Sequence, residues 1–221
     1  LGTVMTPRIA SVLSNNNKEK VEEYLAKSIN FVFFLGIPLT LGVMSVAKTL
    51  VPWFLGEEFS LSVSILMTGS LLIIAKGFTD VAGVQYLIPS RNQAIFTKSV
   101  VTGAILNVVL NFILIPICGA IGAIIASVIA EVAIAIVQYY YVKKQINIQI
   151  FTKAYLKYIV SGVLMFLTVY VMGIFMEPTI ITTILQICVG GIIYIGSLLI
   201  MKDKFLCERL DKILRTLKIK K

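Results

Sequence analysis

Histidine is absent from this 221-residue sequence, and acidic residues are few, with 11 Asp and Glu against 20 Lys and Arg. The commonest metal ligand and the commonest general base are therefore missing. The three cysteines, Cys118, Cys188 and Cys207, are unevenly spaced, which indicates neither a disulfide framework nor a metal site. The sequence also lacks a glycine-rich phosphate loop and a nucleophile beside a base. We therefore expect no catalytic residue, no metal and no cofactor.

Charged residues make up only 14% of the chain, whereas 58% of the residues are hydrophobic and the mean hydropathy is +0.94. This composition is typical of an integral membrane protein. A helix of roughly 20 apolar residues is long enough to cross a bilayer. The sequence predicts an all-α, polytopic transmembrane helix bundle with six complete spans, at residues 29–47, 61–83, 99–117, 120–142, 158–176 and 180–201.

The third and fourth spans, 99–117 and 120–142, are separated only by a turn at Pro116 and Gly119. This turn is too short to hold a domain, so the two runs predict a transmembrane hairpin with both ends on one side of the bilayer. Small residues at Gly119, Gly122, Ala126 and Ala130 indicate that another backbone packs closely against this hairpin.

Three segments lie outside the six spans. Residues 1–13 are apolar but short, and we interpret them as the end of a truncated membrane helix. Residues 14–28 are polar and predict a cytoplasmic loop or short surface helix, with a cap within Ser14 to Asn17. Residues 202–221 form a basic amphipathic tail, which we expect in the inner interface of the membrane.

The distribution of Lys and Arg predicts the orientation of the chain. Of the 20 basic residues, 18 fall in the first segment, in alternate loops or in the C-terminal tail, all on one side of the predicted topology. Basic loops stay cytoplasmic, so this side is expected inside the cell. The net charge of +9 is spread over membrane ends without an aromatic platform, which argues against nucleic acid as a partner.

Polar side chains within the spans are the candidates for function, because they are costly in lipid and usually face a protein interior or a wet cavity. Lys76 and Asp80 are four residues apart and predict an ion pair on one helix face. This pair either serves an anionic substrate group or is structural, with Lys76 extending to the interface. Glu131 stands as an isolated carboxylate, which binds a coupling ion or proton or else bonds to a neighbouring helix.

Asn107 and Asn111 are also four residues apart, in the third span. Amides at such positions bond neighbouring membrane helices together, and contact with sugar hydroxyls is the alternative. Pro38 removes a backbone hydrogen bond from the first complete span and predicts a bend there. The predicted loops on the non-cytoplasmic side are very short, which favours transport over synthesis of a large glycan.

Four motifs resemble a known family: TVMTPRIA at residues 3–10, GIPLTLGVMSVAKTLVPWFLGEEF at 36–59, GVQYLIPSRNQ at 83–93 and NVVLNFILIPICGAIGAIIASVIAE at 107–131. Over about residues 1–144 the chain is similar to the C-terminal half of the bacterial oligosaccharide-repeat-unit flippases. These polysaccharide biosynthesis proteins serve O-antigen, capsule or teichoic-type pathways and belong to the multidrug/oligosaccharidyl-lipid/polysaccharide exporter superfamily.

The resemblance implies one lobe of a two-lobed exporter in the bacterial cytoplasmic membrane. Its substrate would be an undecaprenyl-diphosphate-linked oligosaccharide, moved from the inner to the outer leaflet by alternating access, with membrane lipids and glycan polymerase machinery as further partners. On this interpretation Lys76 meets the diphosphate or an acidic sugar, and Asp80 and Glu131 are the coupling candidates.

Three alternatives stay open at this point. They are a cation-coupled multidrug exporter of the same superfamily, a membrane enzyme such as a polyprenyl-glycan polymerase or ligase, and a non-catalytic scaffold for glycan assembly.

Overall fold

A computed structural model describes residues 2–15, 17–147, 153–203 and 205–207 of the chain. All regular elements within these ranges are helical, as predicted. Their bounds are α1 Gly2–Ser14, α2 Lys18–Leu55, α3 Glu57–Leu87, α4 Gln93–Gln145, α5 Lys153–Phe175 and α6 Ile180–Ile200. Five of them, α2 to α6, are long and apolar enough to cross a membrane. The predicted tail, 202–221, lies mostly outside the described residues.

Helix α4 contains the predicted hairpin. At Gly119 the backbone has a φ of 56° and a ψ of −134°, which reverses the chain between an arm at 93–118 and an arm at 120–145. Glycine adopts this conformation without the steric cost of a Cβ atom. The amide of Gln138 donates to Ser99 at 3.0 Å, and that of Asn107 to Ser127 at 3.3 Å, so the arms run antiparallel. Counting the arms separately gives the six predicted crossings.

The arms approach closely because small residues line their contact. A Cβ atom added at Gly122 would lie only 2.3 Å from the carbonyl oxygen of Leu114 on the other arm. Ala126 and Ala130 follow Gly122 at helical spacing and are also buried. The stripe of small residues therefore packs the hairpin against itself, which agrees with the close backbone approach predicted from the sequence.

The surface helix predicted at 14–28 and the span predicted from Ile29 belong to one helix, because α2 runs without interruption from Lys18 to Leu55. Asn17 caps its first turn by accepting a hydrogen bond from the backbone N–H of Lys20 at 3.1 Å. Val21 and Leu25 are buried on the stripe that Ile29 and the following apolar residues continue. Nothing in this stretch ends the helix, so the polar turns extend α2 at its N-terminal end.

Helix α2 forms the centre of the bundle, with α3, α5 and α6 packed along it. Phe33 of α2 stacks on Tyr155 of α5 with ring centroids 4.2 Å apart. The hydroxyl of Tyr194 in α6 donates to the carbonyl of Phe34 at 2.7 Å. Many apolar side chains on the outward faces of α4, α5 and α6 remain exposed, as expected where lipid is the solvent.

The two ends of the bundle differ in charge. Lys18, Arg91 and Lys144 meet at one end, which we call the basic end, where α1 finishes, α2 begins and α4 both begins and finishes. At the opposite end Trp53 donates its indole N–H to the hydroxyl of Thr183 at 2.9 Å. Successive connections between the helices therefore alternate between the basic end and the opposite end of the bundle, as a multi-pass membrane topology requires.

Candidate functional site

The candidate site is a polar cleft between α3 and the two arms of α4, with a volume of about 390 Å³. Lys76, Thr79 and Asp80 line it from α3, and Glu131 and Gln138 line it from the second arm. Apolar side chains complete the walls: Val84, Phe96, Val100 and Ile134. Three of the five predicted residues, Lys76, Asp80 and Glu131, thus share one cavity although they come from two helices.

Lys76 pairs with Glu131, not with Asp80. The Lys76 ammonium lies 3.3 Å from Oε2 of Glu131, while the hydroxyl of Thr79 donates to Oε1 of the same carboxylate at 2.7 Å. The predicted Lys76–Asp80 pair is therefore wrong. Glu131 is isolated only along its own helix: it bonds to a neighbouring helix, α3, as the structural alternative predicted, through residues more than 50 positions away in sequence.

The two members of this ion pair differ in exposure. The Lys76 side chain is 66% exposed, whereas that of Glu131 is 16% exposed. Burial of a carboxylate is costly unless a cation and hydrogen bonds compensate, and Lys76 and Thr79 supply both. The ammonium of Lys76 is therefore the accessible member of the pair, and the carboxylate of Glu131 is the member that depends on the pair for compensation of its charge.

Asp80 has a different partner because the helix widens at this point. Residues Asp80–Leu87 form a π-helical segment, in which hydrogen bonds join residues five apart. Gln85 consequently lies over Asp80, and its amide donates to Oδ2 of Asp80 at 2.9 Å. The backbone N–H of Asp80 still bonds the carbonyl of Lys76, so the α-helical spacing between these two residues is kept and their side chains differ in partner, not in spacing.

Gln138 is a site residue that sequence reasoning missed. It is completely buried, its amide nitrogen donates to the hydroxyl of Ser99, and its carbonyl oxygen has no hydrogen-bond partner among the described residues. Buried polar atoms are normally satisfied, so this acceptor beside the cleft calls for an explanation. The available signal was its spacing, because Gln138 follows Glu131 by seven residues and so shares its helix face.

Asn107 and Asn111 lie apart from the cleft. The amide of Asn111 donates to Oδ1 of Asn107 at 3.0 Å, and Asn107 bonds Ser127 across the hairpin. Asn111 borders a separate hollow of about 370 Å³ with Phe112 and Pro116. The bond of Asn107 is the interhelical contact predicted for these amides, whereas Asn111 bonds only within its own arm among the described residues.

The cleft combines charged and polar groups of several kinds. No group of three or more Cys, Asp or Glu with metal-binding geometry occurs in the part of the chain that the structure describes. An exposed ammonium, two carboxylates and an unpaired amide oxygen together offer one partner for an anion and several for a proton or small cation. The cleft therefore places charged and polar side chains between otherwise apolar membrane helices.

Comparison with known proteins supports a flippase fold. A solved structure of the lipid II flippase MurJ in an inward closed conformation superposes with a TM-score of 0.77 over 92% of this chain and 44% of that one, at 17% identity. A putative O-antigen transporter from Shigella dysenteriae is 26% identical over 62% of the chain. A probable low-salt glycan biosynthesis flippase, Agl15 of Haloferax volcanii, is 24% identical over 67% of it.

The chain spans about a third of the length of these two curated relatives, 33% and 31% respectively. These relatives are named as a transporter and a flippase, in agreement with the predicted resemblance. A family model described as lipid II flippase MurJ matches residues 1–190. This match covers most of the 221 residues, and the chain therefore belongs to the MurJ family of multi-pass membrane flippases.

Proposed function

We propose that this chain is the C-terminal part of a flippase that moves undecaprenyl-diphosphate-linked oligosaccharide repeat units from the inner to the outer leaflet by alternating access. Membership of a flippase family and the names of the relatives support lipid-linked glycan as the substrate class. The positive-inside rule supports basic loops and a C-terminus in the cytoplasm, and the resemblance to bacterial flippases supports a bacterial membrane. Glycan polymerase machinery is the further partner that such a pathway implies.

The Lys76–Glu131 ion pair is the observation that carries this proposal. The accessible ammonium of Lys76 binds an anionic group of the substrate, either the diphosphate or an acidic sugar. When the substrate takes Lys76, Glu131 loses its cation and binds a proton or a small cation instead, so the two events are linked. Asp80 and Gln138 line the same cleft and supply further oxygen atoms for the coupling ion.

A genetic experiment tests the function of the whole protein. Deleting the gene that encodes this chain should cause lipid-linked repeat units to accumulate on the cytoplasmic leaflet and should reduce the surface glycan. A normal surface glycan together with increased drug sensitivity would contradict the proposal and favour the multidrug-exporter alternative.

Variants then test the role of the cleft. Lys76→Ala should impair export when expressed at the normal level in the deletion strain, because the substrate loses its cationic partner. Asp80→Ala should have a smaller effect, since Asp80 bonds Gln85 and does not pair with Lys76. Lys98→Ala is the matched control, because this exposed lysine of α4 does not line the cleft. Export at the wild-type level in Lys76→Ala would rule out a substrate role for Lys76.

A further inference from the structure

A second cavity, at the basic end of the bundle, is built from different residues. It has a volume of about 830 Å³ and lies where the end of α1, the start of α2, the turn between α3 and α4, and the end of α4 come together. Its cations are Lys18, Arg91 and Lys144, each contributed by a different segment. The polar cleft with Lys76 and Glu131 shares none of these residues.

The carboxylate of Glu22 acts on Tyr86 in the wall of this cavity, but the cavity cations form no ion pair among the described residues. In the described ranges the ion pairs are Lys27 with Glu23 and Lys76 with Glu131, so none of the three cavity cations takes part in one. Lys144 lies over the ring of Tyr140, with its ammonium 4.1 Å from the ring centroid. Three unpaired cations around one cavity repel one another, and an anion between them removes that repulsion.

Hydrogen-bond donors accompany the charge. Asn92 stands at the N-terminus of α4 without making a side-chain cap, and its amide donates instead to Ser90 and, at 3.1 Å, to Gln145. The buried Tyr86 donates its hydroxyl to the same Gln145 oxygen at 3.0 Å. Both bonds hold Gln145 through its oxygen and leave its amide N–H groups for another acceptor.

Arg91 is held in place by an unusual backbone conformation. Its φ of 62° lies in the left-handed region, which residues other than glycine rarely adopt. The turn is fixed by a hydrogen bond from the backbone N–H of Asn92 to the carbonyl of Leu87 at 2.9 Å. The guanidinium thus borders the cavity from a short, well-bonded turn and not from a free loop.

We infer that this cavity binds a phosphate group in the head group of a membrane lipid. The chemistry is that of a phosphate ester or diphosphate, for which clustered Lys and Arg with amide donors are the usual protein partners. The position fits a lipid because α2, α3 and α4 all have an end here, where a membrane-crossing helix meets the head groups. Basic pockets between transmembrane helices bind anionic lipid head groups in this way. The inference does not depend on the transport role proposed for Lys76.

Binding measurements on the purified chain in neutral phosphatidylcholine nanodiscs test this site. The probes are short-chain phosphatidylglycerol, farnesyl diphosphate and inorganic pyrophosphate, each titrated by calorimetry. One variant combines Lys18→Gln, Arg91→Gln and Lys144→Gln. Its charge-matched control combines Lys20→Gln, Lys98→Gln and Lys143→Gln, which are exposed basic residues of the same helices outside the cavity.

Each near-surface cation contributes about fivefold in affinity, so the cavity variant should bind at least one lipid probe roughly 100-fold more weakly. The control variant should lose no more than about threefold. Weakening confined to phosphatidylglycerol would identify an anionic phospholipid as the source of the phosphate, and weakening confined to farnesyl diphosphate would identify a prenyl diphosphate.

Equal weakening in both variants would overturn the inference, because the attraction would then come from general surface charge. Wild-type affinity in the cavity variant would also overturn the inference. Pyrophosphate binding as tightly as the lipid probes would overturn it too, because the ligand would then be soluble. Arg91→Asn guards against misfolding of the triple variant, because Asn tolerates the left-handed backbone while the guanidinium is lost. This single variant should unfold as the wild type does and bind the lipid probe about fivefold more weakly.

Discussion

The energetic asymmetry of the Lys76–Glu131 pair leads to a quantitative prediction. At 3.3 Å the Coulomb attraction between the charges is about 1 kcal/mol in water and about 5 kcal/mol at an effective dielectric constant of about 20. The exposed Lys76 head favours the lower part of this range, because solvent screens it and its side chain loses entropy in the pair. We therefore expect a net coupling of about 1 to 2 kcal/mol.

The single substitutions should not be equivalent. Lys76→Met leaves the carboxylate of Glu131 largely buried with only the Thr79 hydroxyl, so it should destabilise the chain by about 2 kcal/mol. Glu131→Gln leaves a lysine that is already mostly exposed, and the amide keeps the bond from Thr79 through its oxygen. This change should cost less than about 1 kcal/mol.

The double variant, Lys76→Met with Glu131→Gln, provides the decisive comparison. Removing the buried charge should rescue most of the cost of losing Lys76, so the double variant should be more stable than Lys76→Met alone. Unfolding free energies of the purified chain in bicelles, titrated with SDS, complete the double-mutant cycle. Additive effects, or a Glu131→Gln variant less stable than Lys76→Met, would refute the asymmetric ion pair.

Further predictions concern the hairpin and Gln138. Gly122→Ala should destabilise the chain by about 1 to 3 kcal/mol in the same SDS titration, because its Cβ atom would meet the Leu114 carbonyl oxygen at 2.3 Å. Gly191→Ala, where no atom lies within 4 Å of the added carbon, should be neutral or stabilising, and a similar loss in both variants would contradict the close packing of the arms. Gln138→Leu should keep stability within about 1 kcal/mol, because it removes an unpaired buried acceptor, but should reduce glycan export in the deletion strain. Asn107→Leu should lower the unfolding free energy by about 0.6 kcal/mol, the average for such bonds in membranes. Its export per folded molecule should stay unchanged, and a fall in that ratio would instead favour contact with sugar hydroxyls.

The features that depend on residues close together in the sequence could be predicted. Run length and the Gly119 turn predicted the hairpin, since a bilayer demands long apolar helices and glycine permits the reversal. The segments before and after Ile29 were predicted as two helices because the change from polar to apolar residues was taken as a boundary, whereas α2 continues through it. The buried stripe through Val21 and Leu25 shows that the apolar face continues through a polar segment.

Pairing at the site depends on how separate helices pack, which local spacing does not determine. Lys76, Asp80 and Glu131 were recognisable by their cost in lipid, so the residue types could be predicted. The partner of each was set by the contact between α3 and α4 and by the π-helical segment that begins at Asp80. Gln138 escaped notice because an amide in an apolar run is common, and only the position of Glu131 seven residues earlier distinguishes it.

The polar contacts within the hairpin differ from the Lys76–Glu131 pair in how they respond to relative motion of the helices. Asn107 and Asn111 bond within one hairpin, whose arms are joined by a tight turn, so these bonds persist whenever the hairpin moves as a unit. The Lys76–Glu131 pair instead joins two helices, α3 and α4. Any motion that widens the cleft must lengthen this pair, and any anion that takes Lys76 must lower the cost of widening it. Substrate binding and opening of the cleft are then coupled through one contact. The coupling free energy equals the 1 to 2 kcal/mol expected for the ion pair, which corresponds to a change of about tenfold in affinity.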